Sequence, residues 1–104
     1  MAALPDLTPQ QRAEALVKAT AARRRRAEVK IALKSRHMTF SEVLDLAQTD
    51  EALAKMKVVT LLESLPRVGV NTAAQIMTEV GIAPSRRVRG LGSVQREALI
   101  ARFG

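Results

Sequence analysis

The 104-residue chain lacks cysteine, tryptophan and tyrosine, and it has only one histidine and two phenylalanines. Without cysteine, neither a disulfide framework nor a thiolate metal site can form. His37 has no evident partner for metal binding or acid–base catalysis, so we interpret it as an ordinary residue at a helix end. We therefore expect no metal, no cofactor and no enzymatic activity.

Long apolar runs and a signal peptide are also missing. No stretch approaches the roughly 20 apolar residues of a membrane span, and the N-terminus lacks a basic start followed by an apolar segment. We therefore expect a soluble, cytoplasmic protein. Hydrophobic residues make up 47% of the chain, so an aliphatic core is possible, and the length suits a single domain over residues 1–104.

Positive charge is abundant and is sorted along the chain. The net charge is +7 and the sequence pI is about 11.1, which favours a polyanionic partner such as nucleic acid. Residues 8–36 carry nine Lys and Arg against two Glu, residues 39–64 carry two Lys against five acids, and residues 65–104 carry six Arg against two Glu. A charge excess that served solubility alone would not need this sorting.

A long basic helix is predicted over residues 8–36. Thr8, Pro9 and Gln11 form a helix start, and no residue before about Ser35 breaks the pattern. The Arg23–Arg26 run turns around the helix, so at most about half of these side chains can face one duplex. The candidate DNA contacts in this helix are Arg23, Arg24 and Arg26. A solvated basic face is the alternative interpretation.

Residues 39–104 predict a compact all-α body. Thr39 and Glu42 form a capping box, and Gly81 is expected to end a helix. Apolar residues at helical spacing predict short helices over 40–47, 51–55, 58–65, 72–80 and 93–103. Ser93 is expected to cap the last of these helices. The residues of that helix expected to face the core are Val94, Ala98, Leu99 and Phe103.

The segment Leu65–Ala73 predicts a hairpin between two of these helices that binds phosphate. Pro66 stops the preceding helix, Gly69 is expected to supply the turn conformation, and Asn71 or Thr72 can cap the next helix. Backbone N–H groups at a helix N-terminus, together with the helix dipole, favour an anion. The candidate contacts are Arg67, Gly69, Val70, Asn71 and Thr72. A helix–loop–helix corner without a ligand is the alternative.

A second basic segment, residues 84–93, reads as a loop because it contains a proline and two glycines. A loop can bring several arginines to one ligand where a helix cannot. Arginine suits both phosphate clamping and insertion into a narrow minor groove. The candidate contacts are Arg86, Arg87, Arg89 and Gly90. A mobile basic loop without a ligand is the alternative.

Two resemblances extend these expectations. The first joins Leu65, Pro66, Val68, Gly69, Ala73 and Ile76, which match the helix-hairpin-helix signature except that Arg67 replaces its first glycine. The second runs through Leu4–Thr8, Gln11–Ala13, Lys55–Val58, Leu61–Pro66, Ile76–Glu79 and Ile82–Gly92. On these stretches nearly the whole chain resembles the actinobacterial integration host factor family, which is unrelated in fold to the enterobacterial heterodimer of the same name.

The second resemblance implies a helix-two-turn-helix body similar to ribosomal protein S13. It also implies a nucleoid-associated role: duplex DNA binding with low sequence specificity, DNA bending, and effects on supercoiling and phage integration. Integrase and other nucleoid proteins are further candidate partners, and we expect a monomer. The chain departs from the family at Ser35–Met38, which lacks the glycine expected where the first helix ends.

We expect the hairpin and the arginine loop to meet one phosphate backbone while part of the first helix meets a second DNA segment. A ribosomal or other structured-RNA-binding protein is the alternative, although so few aromatic residues leave no platform for base stacking. A glycosylase or lyase would share the hairpin but needs a nucleophile beside a base. A membrane-surface helix over residues 9–35 would need a larger apolar face.

Overall fold

The computed structural model describes residues 7–104, which form six α-helices and one 3-10 turn. Within these residues the only strand-like feature is an isolated antiparallel bridge between Lys57 and Arg87. The all-α prediction is therefore confirmed. Leu4 and Pro5, which contribute to the family resemblance, lie outside the described residues. The helices are α1 (Pro9–Lys34), α2 (Phe40–Leu46), α3 (Glu51–Ala54), α4 (Val58–Glu63), α5 (Val70–Val80) and α6 (Ser93–Phe103), with the 3-10 turn at Val88–Gly90.

The start of α1 is the capping box that the sequence predicts. The Gln11 N–H donates to Thr8 Oγ1 at 3.1 Å, and the Thr8 N–H donates to Gln11 Oε1 at 2.9 Å. The helix ends through a left-handed residue, as helices commonly do, but that residue is Arg36 with φ +65° rather than glycine. The His37 N–H then donates back to the Ala32 carbonyl at 2.9 Å. The helix therefore ends in a left-handed conformation even though the chain lacks the glycine expected there.

The 26-residue α1 has two different halves along its length of about 39 Å. Every residue from Leu7 to Ala21 is exposed. In the second half Val29 and Leu33 are buried in the core, and this part of α1 packs on α3. Only the second half of the helix is therefore anchored by apolar contacts within the described residues.

The core is aliphatic with one aromatic pair, as the composition requires. Phe40 and Phe103 pack against each other with their ring centroids 5.9 Å apart and their planes tilted by 46°, which joins the start of α2 to the end of α6. The fully buried side chains of the interior include Leu44, Leu53, Leu61, Leu62 and Leu99. These side chains come from α2, α3, α4 and α6, so the short helices all contribute to one core.

The expectations for α6 were partly wrong. Gly92, not Ser93, precedes the helix, and its N–H donates to Gln95 Oε1 at 3.0 Å. The Gln95 amide in turn donates to the Gly81 carbonyl at 2.9 Å, which ties α6 to the end of α5. Val94 is 77% exposed instead of facing the core. The helix begins one residue earlier than expected, and its buried face is carried by Leu99 and, less completely, by Phe103.

Candidate nucleic-acid interface

The hairpin places the start of α5 two residues earlier than the sequence suggests. Gly69 is the N-cap and Val70 is the first helical residue, so Asn71 and Thr72 lie inside the first turn and do not cap it. The prediction that either residue caps the helix is therefore wrong. Among the described residues no side chain caps this end of α5. The first backbone N–H groups of a helix have no partner within the helix, so they are available to an anion.

The unusual backbone conformation of the hairpin belongs to Arg67 and not to Gly69. Arg67 has φ +65°, whereas Gly69 is extended, with φ −93° and ψ −176°. The expectation that Gly69 supplies the turn conformation is wrong, because any residue can adopt its dihedral angles. A Cβ built on Gly69 would meet no described atom within 4 Å. Because Gly69 has no side chain, the space in front of the first amides of α5 is open.

Lys34 joins the long helix to the hairpin. Its Nζ donates to the Leu65 carbonyl at 3.1 Å and lies 3.4 Å from the Glu63 carbonyl. The Glu63 carbonyl is the last of α4 and the Leu65 carbonyl lies just beyond it, where a cation is favoured by the helix dipole. The same side of α1 carries Lys30 and Arg26, one and two turns earlier along the helix.

The arginine loop is docked on the segment that precedes α4. The Val88 N–H donates to the Met56 carbonyl at 2.8 Å, and the Val58 N–H donates to the Arg86 carbonyl at 3.0 Å. Val88 is also buried. Backbone pairing and burial therefore hold the loop in place, in contrast to the mobile loop considered as an alternative.

The three arginines of this loop are positioned in different ways. Arg86 Nη1 donates to the Gly90 carbonyl at 2.7 Å, and a Cβ on Gly90 would approach Arg86 Cδ to 3.0 Å. Arg87 Nη1 donates to the Lys55 carbonyl. Arg89 lies near Glu51, whose pKa is lowered chiefly by a hydrogen bond from Lys55 and also by the charges of Lys18 and Arg89. Gly90 thus leaves room for the Arg86 side chain.

A cleft of about 450 Å³, here called the basic cleft, is lined mainly by cations. Five cations from three parts of the chain line it, and among residues 7–104 no acidic side chain does. Within the cleft Arg26 of α1 faces Arg87 of the loop. The lining residues are Arg26, Lys30, Lys55, Met56, Lys57, Thr60 and Arg87.

The three lysines of the basic cleft are minor candidates in the sequence and are not among its main predicted contacts. Lys30 lies four residues from Lys34 and can extend the basic stripe of the helix, and Lys55 and Lys57 can each reach a phosphate. Lys55 and Lys57 lie in the acidic middle of the sequence, where net charge conceals them. Lys55 is also bound to Glu51 at 2.8 Å. Only the fold shows that these lysines meet Arg87.

The Arg23–Arg26 run is divided among different surfaces, as the helical geometry requires. Arg25 Nε donates to Asp50 Oδ2 at 2.9 Å and fastens α1 to the start of α3. Arg26 lines the basic cleft. Arg24 lines a shallow depression elsewhere on α1, and Arg23 Nη2 lies 3.5 Å from Thr20 Oγ1. Of the three predicted contacts in this helix, only Arg26 lies in the basic cleft.

The hairpin and the basic cleft occupy opposite ends of α4. Thr60 in the first turn of α4 borders the cleft, whereas the hairpin follows the last turn. The helix has six residues, which span about 9 Å. The predicted hairpin contacts therefore do not share a cavity with Arg87, but both groups are fixed to the same short helix.

Two other kinds of site receive no support from the described part of the chain. In residues 7–104 no cluster of three or more His, Asp or Glu is arranged to hold a metal ion. Over the same residues, none of the helices combines the length and the apolarity needed to cross a membrane.

Comparison with known proteins agrees with this architecture. Residues 33–103 match the S13-like H2TH domain family. Integration host factor from Mycobacterium tuberculosis is 58% identical, with 98% of this chain and 97% of the relative covered. The Streptomyces coelicolor integration host factor is 57% identical, with 98% and 95% covered.

A solved structure supports the same assignment. The structure of sIHF bound to an 8-base-pair palindromic DNA is 54% identical to this chain and superposes with a TM-score of 0.81. The similarity covers 84% of this chain and 98% of the solved one. This all-helical chain, with its S13-like H2TH domain, therefore belongs to the integration host factor family of mycobacteria and Streptomyces.

Proposed function

We propose that this protein is a nucleoid-associated DNA-binding protein that contacts duplex DNA through the hairpin and the basic cleft. The observation that carries the proposal is the cleft, where Arg26 and Arg87 meet three lysines with no acidic side chain among the described residues. Such a surface attracts a polyanion, and binding releases the counterions that are condensed on DNA. The relative that was solved in complex with DNA is 54% identical to this chain, which supports the same partner here.

The hairpin contributes a phosphate site made of backbone. The N–H groups of Val70, Asn71 and Thr72 open the first turn of α5, and the positive end of the helix dipole lies behind them. Because Gly69 has no side chain and its surroundings are open, a phosphate oxygen can approach these amides closely. Arg67 is exposed in the same turn and adds a positive charge.

The basic cleft contributes a second point of contact about one length of α4 away. Arginine and lysine side chains there meet phosphates or the edge of the minor groove. Hairpin and cleft are fixed to the two ends of one short helix, and we infer that DNA bends to reach both. Bending a site costs on the order of 1–6 kcal/mol, and two separated contacts offset this cost better than one. We infer effects on supercoiling and phage integration, with integrase and other nucleoid proteins as further partners.

Sequence specificity is expected to be low, and the role is architectural rather than catalytic. The hairpin amides and the lysines of the cleft are donors suited to phosphate, which carries no sequence information. Base reading would need Asn, Gln or Arg side chains arranged for bidentate contacts in the major groove. An architectural DNA-binding protein of this family would act in the nucleoid.

The decisive experiment compares two neighbouring arginines of α1. Arg26→Ala removes a cation from the basic cleft, and Arg24→Ala removes the same charge from a surface outside the cleft. Binding to short duplexes of varied sequence is followed by fluorescence anisotropy at several salt concentrations. We expect Arg26→Ala to weaken binding several-fold and to reduce the salt slope by about 0.9, whereas Arg24→Ala stays close to the parent.

The same titrations test the competing partner. Affinity is expected to vary little among duplex DNA sequences and to exceed the affinity for a structured RNA hairpin of equal length. Equal losses in the two variants, or an affinity that does not depend on salt, would show that the cleft is not the binding surface. Preference for the RNA hairpin would identify the protein as an RNA-binding protein instead.

A further inference from the structure

The face of α1 that points away from the body has an apolar pattern that DNA binding does not explain. Val17, Thr20, Arg24, Ala27 and Ile31 alternate at spacings of three and four residues, which is the a/d pattern of a coiled-coil heptad. We call this set the α1 seam. The buried residues Val29 and Leu33 lie on the opposite side of the helix. The seam therefore faces solvent.

The α1 seam is exposed to an unusual degree for its composition. Val17 and Ile31 are each 68% exposed, and Leu16 beside them is 66% exposed. Single exposed aliphatic residues are ordinary, but these three lie on one face of one helix with Thr20 and Ala27. Heptad spacing is the pattern by which helices pair, and this seam is shorter than the roughly three to four heptads of a stable coiled coil.

The charges that flank the α1 seam specify which helix can cover it. With Val17 at position a, Arg23 falls at g and Glu28 at e. In a parallel pair a residue at g meets the e residue five positions later on the other helix, so Arg23 meets Glu28 of a second copy, twice by symmetry. An antiparallel pair would bring g against g, which sets Arg23 and Lys30 against each other. The chain is thus complementary to a parallel copy of itself.

We propose that two copies of this protein pair in parallel through the α1 seam when they are bound to neighbouring segments of DNA, an inference that rests on the proposed function. The seam covers fewer than three heptads and has Arg24 at its central a position, where it meets its own symmetry mate. Both features weaken the pair, which agrees with the expected monomer in free solution. Adjacent binding on DNA raises the effective concentration of the second helix.

The placement of the two bodies in such a pair allows it to hold two duplex segments. Each body lies on the side of α1 opposite to the seam, so the two bodies do not obstruct the pairing and end up on the outside at the same end. Two hairpins and two basic clefts then face away from each other. A pair can therefore hold two duplex segments together, which would compact DNA beyond the bending by one copy.

Because the chain contains no cysteine, single introduced cysteines report the pairing. In a parallel, in-register pair the two copies of Thr20→Cys meet, and so do the two copies of Ala27→Cys. An antiparallel pair can bring only one of these two positions together. Ala15→Cys is the matched control, because it is exposed on the same helix but not on the seam. A disulfide requires Cα atoms within about 7 Å.

The measurement is disulfide formation under mild oxidation, with and without a long duplex, at equal DNA occupancy set by anisotropy. We expect both seam variants to cross-link on DNA several-fold more than Ala15→Cys and to cross-link little without DNA. Combining Thr20→Cys with Arg23→Glu or with Glu28→Arg should lower the yield. Combining it with both changes, which restores the parental net charge, should recover the yield.

The possible failures separate the two proposals. Variants that bind DNA but cross-link no more than Ala15→Cys would overturn the pairing and leave the proposed function intact. Cross-linking at only one seam position would overturn the parallel register. If the variant with both charge changes cross-links no better than the variants with one, the pairing of Arg23 with Glu28 is overturned. If the parental protein does not bind DNA in the same titration, the proposed function is wrong, and pairing on DNA is wrong with it.

Discussion

The two ends of α4 offer DNA different chemistry. At one end the hairpin presents backbone amides beside Gly69, with open space where a side chain would be. At the other end the basic cleft presents side chains, of which Arg87 is held by the carbonyl of Lys55. Amides have fixed positions and no net charge, whereas arginine and lysine carry charge that salt screens. The hairpin should therefore respond to steric changes and the cleft to ionic ones.

The largest effect on binding is expected from Gly69→Ala. The added methyl group enters the space in front of the α5 amides, and losing one hydrogen bond to a charged phosphate costs about 1.5–3 kcal/mol. Stability should change little, because the Gly69 dihedrals are ordinary and no described atom lies within 4 Å of the new Cβ. Anisotropy measures the affinity, and urea denaturation measures the free energy of unfolding.

Gly81→Ala is the control with the reverse outcome. Gly81 closes α5 with φ +81°, so a side chain there should lower the free energy of unfolding by about 1 kcal/mol or more. DNA affinity of the folded protein should remain parental because this residue is at the far end of α5. Parental DNA affinity in Gly69→Ala would mean that the hairpin amides do not hold a phosphate.

The second largest effect is expected from Arg87→Ala. Loss of one phosphate contact should weaken binding roughly tenfold at low salt, or about 1.4 kcal/mol, and should reduce the salt slope by about 0.9. Arg87→Lys keeps the charge and should keep the slope. Gly69→Ala should also keep the slope, because an amide carries no net charge. Similar salt slopes in Arg87→Ala and in the parent would remove the distinction between the two ends of α4.

The elements that the sequence predicts well are those set by residues close together in the chain. Both capping boxes depend on pairs three residues apart, Thr8 with Gln11 and Thr39 with Glu42, and both are present. Gly81 ends α5 as expected because a left-handed helix end favours glycine locally. Fold class follows from such local signals together with helical periodicity.

The hairpin shows where local signals are insufficient. Asn71 and Thr72 suit an N-cap, but they suit the first turn of a helix nearly as well, and packing decides between these positions. Gly69 was the obvious residue for an unusual backbone conformation, yet Arg67 adopts it. A pattern that identifies a motif does not say which of its residues bears the strain.

The basic cleft could be predicted only in part. Arg26, Lys30 and Arg87 are visible as cations, but Arg87 is far from the other two in the sequence. They meet because the loop forms a backbone bridge from Arg87 to Lys57 while α1 passes over α3. Such long-range packing leaves no periodic signal in a single sequence, so the partners of each arginine had to come from the structure.

A smaller effect, on stability, is expected from Arg67→Gly. A residue other than glycine in the left-handed region costs about 1–2 kcal/mol, and part of this is offset by the greater entropy of glycine in the unfolded chain. We expect the free energy of unfolding to rise by about 0.5–1 kcal/mol, while DNA binding weakens because the hairpin loses a cation. Urea denaturation measures the expected gain in stability, and anisotropy measures the expected loss of DNA affinity.

Arg36→Gly is the matched control for Arg67→Gly. Arg36 has the same φ of +65° at the end of α1, so the gain in stability should be similar. It lies outside the basic cleft and borders Leu65 and Pro66 in a separate cavity, not the first turn of α5, so DNA affinity should fall less than in Arg67→Gly. Equal losses of affinity would mean that Arg67 contributes only to the overall charge.

The smallest effect is expected from Lys34→Met, which tests whether α1 supports the hairpin. The substitution removes the bonds from Lys34 Nζ to the carbonyls at the end of α4 and should cost about 0.5–1.5 kcal/mol of stability. Lys30→Met removes the same charge one turn earlier, within the basic cleft, and should reduce the salt slope without changing stability. If α1 does position the hairpin, Lys34→Met should add little to Gly69→Ala in a double-mutant cycle of DNA binding, because both act on the same phosphate site. Fully additive losses would instead show that the hairpin holds its shape without α1, and that Lys34 contributes charge alone.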